Sequence, residues 1–405
     1  MGGFGELGLN DHLLARLAEA GLAEPTPIQA QAIPAALAGR DLLGLAQTGT
    51  GKTAAFGLAL VQRLMRIGKP PAPGTARSLV LVPTRELAAQ VGRALSGFAK
   101  GSHIKVLWVA GGTSMGRQEE RLAPGIDILV ATPGRLIDLL KRQAVTLDAV
   151  RNLVLDEADH MLDLGFGPGL ERIGRQLPAK RQVLMFSATM PPQIEALAQG
   201  WLSDPVRIAV APPGRPAEKL SQAVHFTSGR AKAALLRTYL DGHPGERALV
   251  FARTKDGAGK LAALLTHWGI AAEPIHGDRT QTERSAALEG FRSGTTLVLV
   301  ATDLAARGID IPGVGHVYNY DLPATAEAYV HRIGRTARAG AEGRAISLCA
   351  PAEMEALAAI ETALGQKLAV AGGTPHAAAP STPGPRREGR KPRVKPSRPG
   401  PRRGR

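Results

Sequence analysis

Short runs of valine, leucine and isoleucine recur along the chain, and each gives way to a stretch with helical spacing, the texture of buried parallel strands in βαβ units. The runs fall into two sets. The first comprises 42–45, 78–82, 106–109, 126–130, 153–155 and 183–186, and the second 248–251, 296–300, 317–320 and 345–348. Between them lies APPGRPAEK, residues 211–219, whose prolines favour an extended connector over a helix. A βα pattern of this length splits into two cores rather than building one larger sheet. The pattern therefore predicts an α/β domain over 1–210, a linker over 211–219, a second α/β domain over 220–370 and a tail over 371–405.

Polar segments follow the apolar runs directly. In the first half these are AQTGTGKT (46–53), PTREL (83–87), GGT (111–113), ATPGR (131–135), DEAD (156–159) and SAT (187–189). In the second half, FARTK (251–255) and ATDLAARGID (301–310) do the same. Ligands of open α/β sheets bind outside the carboxyl ends of the strands, so each set marks one edge of its domain. Two such edges facing each other make a cleft.

Charge narrows the choice of partner. Fifty Lys and Arg against 35 Asp and Glu leave a formal charge of +15, which points to a polyanion, either nucleic acid or an anionic membrane surface. No apolar stretch is long enough to span a bilayer, and the N-terminus lacks the order of a secretory signal. The single cysteine, Cys349, fits a reducing compartment and supplies no thiolate cluster for zinc. A cytoplasmic protein without a membrane partner is expected. From residue 371 onward the chain carries ten Arg or Lys and one acid, Glu388, a net of +9. That segment has no aromatic residue and too little apolar surface to offset ordering its backbone, so it reads as a disordered basic tail that holds phosphates by charge.

The chemistry begins at Ala46. AQTGTGKT matches G-x-x-x-x-G-K-[ST] except at its first position, and lies between an apolar run and a helical pattern. Gly49 and Gly51 let consecutive backbone N–H groups turn toward phosphate oxygens, at the positive end of the following helix. In that motif Lys52 bridges the β- and γ-phosphates and the Thr53 hydroxyl ligates magnesium. A carboxylate must share the metal, and NLVLDEAD supplies one at a strand end: Asp156 for the metal, with Glu157 orienting or deprotonating the attacking water. Asp159 also reads as a local cap or pairing residue.

With these residues in view, the chain is similar to the DEAD-box RNA helicases, and its short length and basic tail look most like the bacterial RhlE-type members. The resemblance spans roughly residues 4–343 and adds PTPIQ, TPGR, HGD, QTER and HRIGRTARAG to the segments above. It implies two tandem RecA-like domains, parallel sheets flanked by helices, forming a monomeric RNA-stimulated ATPase that uses ATP and Mg2+ to unwind RNA locally. In the family alanine commonly opens the phosphate loop, so Ala46, Gln47, Thr48, Gly49, Thr50, Gly51, Lys52 and Thr53 all count as ATP contacts. The resemblance further implies that Gln29 reads the adenine edge and that Phe4 stacks on the base. By its residue type alone Gln29 reads as a helix-surface amide. Leu22 departs from the family, which often has phenylalanine there.

Arg332, Arg335 and Arg338 recur at three-residue spacing, which on a helical turn puts them on one face. By resemblance Arg335 and Arg338 are arginine fingers, His331 makes a cleft contact, and Asp310 meets the ribose. Pro83, Thr84, Arg85, Gly112, Thr132, Gly134 and Arg135 resemble RNA-backbone contacts of the first domain, as Arg284 and Thr302 do in the second. Ser187, Thr189 and Asp159 resemble the link between the ATP site and strand separation. Such contacts hold RNA with little sequence preference. Two other classes share parts of this pattern, an RNA annealer driven by the tail and a DNA translocase.

Removing residues 371–405 is expected to weaken RNA binding and flatten its salt dependence, by about 0.7 in log–log slope for each phosphate that the tail no longer neutralises on a single strand. Filter binding over a salt series measures this, and an unchanged slope leaves the tail a passive solubiliser.

Overall fold

The computed structural model describes residues 3–46, 49–210, 220–306, 313–337 and 342–375. Gln47, Thr48, Asp310, Arg338, the linker 211–219 and the tail from 376 lie outside the described residues.

Among the described residues, fourteen strands form two sheets of seven. The first lobe contains β1 (Leu42–Leu45), β2 (Ala76–Leu81), β3 (Val106–Val109), β4 (Ile126–Ala131), β5 (Asn152–Leu155), β6 (Gln182–Ser187) and β7 (Val206–Ala209). The second contains β8 (Leu220–Phe226), β9 (Ala248–Phe251), β10 (Ala272–Ile275), β11 (Val298–Ala301), β12 (His316–Asn319), β13 (Gly343–Cys349) and β14 (Ala369–Gly372). The orders are β3-β4-β2-β5-β6-β1-β7 and β10-β11-β9-β12-β13-β8-β14, so the same order occurs twice. Every pairing is parallel, which puts the carboxyl ends of all strands of a lobe on one edge.

Packing follows from the apolar runs. In the first lobe the strands send alternate residues to two cores, one around Ile28, Phe56, Val80 and Phe186, the other around Leu79, Leu129, Leu153 and Met185. Gly44 of β1 is needed for this arrangement. A Cβ there would lie 2.7 Å from the Phe186 ring, which packs 5.6 Å from the ring of Phe56 on the helix Lys52–Met65. The phosphate loop is thus braced from below by an aromatic pair. Helices beginning just after strands are capped by the polar residues at strand ends: Thr84 accepts from the Leu87 N–H, Thr254 from Gly257 and Thr325 from Ala328.

Beyond β7, whose VRIAV segment reads as strand-like in the sequence, three strands escape the apolar-run pattern. β7, β10 and β14 lie at or beside sheet edges, where Glu273 and Pro274 of β10 are tolerated, and β8 is only half buried along LSQAVHF. β14 also runs to Gly372, past the expected boundary at 370. Its closing glycines pass tightly over β8, since a Cβ on Gly373 would lie 1.9 Å from the Phe226 carbonyl oxygen, at a backbone φ of +72°.

A truncation at 371 therefore cuts a strand, whereas one after 375 does not. Removing 371–405 is expected to lower the melting temperature by about 2–4 °C relative to removing 376–405, roughly 1 kcal/mol in a lobe of this size. Thermal melts of the two truncations would decide it, equal midpoints counting against a structural role for β14.

Candidate nucleotide site and nucleic-acid groove

The loop after β1 is held open by left-handed glycines, Gly49 at φ 88° and Gly51 at φ 91°, leading into the helix Lys52–Met65. The Lys52 side chain is buried, and its Nζ donates to the Ala46 carbonyl at 3.0 Å. The segment around the helix Pro27–Leu37 clamps the loop from outside. Thr26 Oγ1 donates to the Thr50 carbonyl at 2.8 Å, and Gln29 Nε2 to the Gly51 carbonyl at 3.1 Å. Gln29 Oε1 accepts the Thr26 N–H at 2.9 Å. Gln29 is 3% exposed, which corrects its reading as a helix-surface amide: a capping position puts it against the loop. Phe4 is buried, and it edges a cavity of about 460 Å³ together with Leu14, Leu17, Leu22 and Ala23.

The acids after β5 sit beside this loop. Burial pushes the Asp156 carboxyl up to about 6; the Lys52 ammonium opposes the rise and Glu157 adds to it. Burial also works to raise Glu157, but the hydrogen bond from His160 and the charges of Lys52 and Arg335 outweigh it and hold that carboxyl at about 2. Adjacent carboxylates thus have pKa values pushed apart, the arrangement that separates chemical roles. Asp156 Oδ1 is buried and has no hydrogen-bond partner among the described residues. An orphaned, desolvated carboxylate oxygen close to a phosphate loop, with the half-buried Thr53 hydroxyl at the start of the helix, is a donor set of hard oxygens that fits magnesium. Two protein oxygens suffice, because that ion keeps waters and takes phosphate oxygens.

Asp159 does more than cap locally. Its Oδ2 accepts from the Ala188 N–H at 3.1 Å, the Thr189 N–H at 3.0 Å and the Thr189 hydroxyl at 3.0 Å, while the Ser187 hydroxyl donates to the Thr189 carbonyl at 2.7 Å. One carboxylate thereby ties the ends of the adjacent strands β5 and β6.

In the second lobe Arg332 and Arg335 do not share a helix face. The helix Ala326–Ile333 ends at Gly334, so Arg335 lies beyond its C-terminus. Arg332 turns into its own lobe, where it forms a bidentate pair with Asp303 at 2.5 and 2.8 Å, donates to Asn319 Oδ1 and the Asp321 carbonyl, and lies over the Phe251 ring. It is a core residue. Arg335 is buried, its Nε donating to the His331 carbonyl at 3.2 Å, and its charge reaches Glu157 of the other lobe. His331 occupies the last turn of the same helix.

A cavity of about 400 Å³ runs between the lobes. Pro83, Thr84, Arg85, Thr132, Gly134 and Arg135 line one side, and Arg284 comes from the other. The helices Arg85–Ala99 and Pro133–Lys141 both begin here, presenting N–H groups suited to phosphates. Gly112 lets Arg85 lie across the backbone, since a Cβ there would meet its Nη1 at 2.2 Å. Thr302 is buried and does not line the cavity; its carbonyl accepts the N–H of Ala305, which does. The residues sequence reasoning missed are Glu86, Phe166, Leu304 and His160. Glu86 joins the lobes, pairing with Arg284 at 3.1 Å and accepting from Gln281 Nε2 at 3.2 Å. Leu304 is 49% exposed, an apolar residue facing a groove that charge patterns alone do not reveal.

Comparison with known proteins agrees with this geometry. Residues 26–197 match the DEAD/DEAH box helicase family and residues 231–340 the helicase conserved C-terminal domain. The chain is 44% identical over 358 residues to the ATP-dependent RNA helicase CshA of Listeria monocytogenes, covering 88% of this chain and 68% of that protein. Dbp5 of S. cerevisiae bound to RNA and ADP BeF3 superposes with a TM-score of 0.83 at 31% identity, covering 91% and 95% of the two chains. A DEAD box protein from Methanococcus jannaschii, at 34% identity and coverages of 91% and 98%, superposes at 0.52. The fold of this chain is the pair of RecA-like domains that the motifs implied.

Asp156→Asn is expected to stabilise the nucleotide-free protein at about pH 7.5. A carboxyl with a pKa of about 6 folded and 3.8 unfolded costs the folded state stability as pH rises from 3.8 to about 6, and the loss is constant above that. It costs nothing below 3.8, where both states are protonated. The difference corresponds to about 3 kcal/mol at neutral pH. Melting temperatures of wild type and variant should converge as the buffer approaches pH 4; a gain independent of pH would refute the assignment.

Proposed function

Because the chain belongs to the DEAD-box family of ATP-dependent RNA helicases, we propose that its lobes complete one ATPase site by closing over a strand of RNA, and that closure separates short duplexes. The carrying observation is that the lobes meet along one edge: Glu86 of the first pairs with Arg284 of the second at 3.1 Å, and the charge of Arg335 adds to the His160 bond and Lys52 in holding Glu157 ionised.

In this reading the adenine lies against Phe4 and the Gln29 amide, which keeps one N–H and one lone pair beyond its bonds to Gly51 and Thr26. Ala46, Gln47, Thr48, Gly49, Thr50 and Gly51 wrap the phosphates, and Lys52 exchanges the Ala46 carbonyl for phosphate oxygens. Thr53 and Asp156 would hold magnesium, whose chemistry is to neutralise phosphate charge. Glu157 orients the attacking water, Arg335 and Arg338 reach the phosphates across the cleft, and Asp310 meets the ribose. The Asp159 bonds to Ala188 and Thr189, together with Ser187 and His331, support a mechanical link from this site to the groove.

RNA is held through its backbone by Pro83, Thr84, Arg85, Gly112, Thr132, Gly134, Arg135, Arg284 and Thr302, so sequence is not read. ATP and RNA each favour the closed state, whose bent strand path excludes a regular duplex. Magnesium as cofactor, a monomeric state, a cytoplasmic setting and a tail that anchors extra RNA belong to the same reading. The basic C-terminal segment supports an RhlE-type place in the family, although the relative at 44% identity is a CshA.

RNA should stimulate ATP hydrolysis by the purified chain, and Lys52→Ala should abolish turnover. Arg335→Ala should lower the RNA-stimulated rate by about 10³-fold or more while leaving the affinity of ATP for the first lobe nearly unchanged. Steady-state hydrolysis with and without RNA, alongside fluorescent-nucleotide binding, tests this; equal rates with and without RNA would sink the coupling.

A further inference from the structure

We propose that His160 is a positioning residue for Glu157, its Nδ1–H holding the carboxylate in the orientation from which Glu157 directs the attacking water. The proposal rests on the reading of Glu157 given above. Both side chains are buried, and His160 Nδ1 lies 3.3 Å from Glu157 Oε2. The local backbone makes the pairing possible. Glu157 adopts a left-handed conformation, φ 55° and ψ 53°, immediately before the short helix Ala158–Asp163, and His160 follows it by one turn. A non-glycine residue in that region is strained and persists where its surroundings over-determine it.

The rest of the imidazole argues against a packing role. His160 Nε2 is buried with no hydrogen-bond partner among the described residues, so the tautomer with hydrogen on Nδ1 donates to Glu157 and strands the other nitrogen. An apolar side chain of similar volume would fill the space without stranding a polar atom. What the histidine adds is a donor aimed at one carboxylate oxygen. Fixing Oε2 sets the plane of the carboxylate in a water-poor site, where misplacement of a reacting group by an ångström can cost about 10²-fold in rate. Asp159 is committed to the Ala188 and Thr189 groups and Lys52 to the Ala46 carbonyl, so neither duplicates this contact.

Three variants of the full chain test the assignment: His160→Leu, His160→Asn and Glu157→Gln. His160→Leu removes the donor, whereas His160→Asn places an amide N–H where Nδ1 was. The expected result is a fall of about 10- to 100-fold in RNA-stimulated kcat for His160→Leu, with KM for ATP and for RNA within twofold of wild type and a melting temperature no lower. His160→Asn should recover kcat to within about threefold. Glu157→Gln should be inactive, and adding His160→Leu to it should cause no further loss. Wild-type kcat in His160→Leu with an inactive Glu157→Gln overturns the role of His160 alone. Active Glu157→Gln overturns the reading of Glu157 itself and this proposal with it. His160→Asn as slow as His160→Leu, or a kcat loss accompanied by raised KM and a lower melting temperature, reduces His160 to packing.

Discussion

A small group of buried charges at the carboxyl ends of β1 and β5 governs this molecule. Lys52, Asp156 and Glu157 are all withdrawn from water in the first lobe, and burial of ionised groups is costly unless their charges are matched. The lobe by itself leaves Asp156 unmatched. Desolvation drives that carboxyl up to about 6, whereas Glu157 is held ionised by His160 and Lys52 of its own lobe, with a smaller contribution from Arg335 of the other. Balance therefore depends on partners from outside the lobe: a nucleotide with its cation, and the second lobe. Domain closure and occupancy of the site are in that sense one electrostatic event.

The parallel sheet turns that local event into a mechanism. Because all strands of a lobe end on the same edge, the phosphate loop, the acids and the RNA-facing helices share one surface without any element having to cross the core. β5 and β6 are neighbours, so the carboxylate of Asp159 can reach the backbone after β6 and make a rigid brace between the acids and the next strand end. The lobes meet again at Glu86, Gln281 and Arg284, at the wall of the groove rather than at the nucleotide. Interfaces at two places on one edge let ligands at either site bias the same closed arrangement, which is the requirement for reciprocal coupling.

The repeated strand order also explains a division of labour. Each lobe offers polar strand ends and helix N-termini, features suited to anions, and each begins a helix with a buried lysine, but Lys52 follows the left-handed Gly49 and Gly51 whereas Lys232 is held by Glu353 and the Tyr320 carbonyl of its own lobe. The second lobe's corresponding edge contributes arginines. One of them, Arg332, is spent on its own core against Asp303 and Phe251, which stiffens the segment from which Arg335 extends.

Much of this was legible in the residues themselves. Buried parallel strands announce themselves as continuous apolar runs, and phosphate chemistry demands glycines, lysine and a hydroxyl at fixed spacing, so the two lobes, the loop and the acids after β5 could be placed from the chain alone. Strands β8, β10 and β14 could not, because edge and half-buried strands carry no such run. Three-residue spacing suggested a single arginine face, but a helix capped by Gly334 divides Arg332, in the core, from Arg335, beside the cleft. The bonds of Gln29 to the loop, of Asp159 to Thr189, of Glu86 to Arg284 and of His160 to Glu157 were decided by tertiary structure alone. Local spacing encodes what a residue can do, whereas the partner it does it with depends on distances set by the packing of the whole chain.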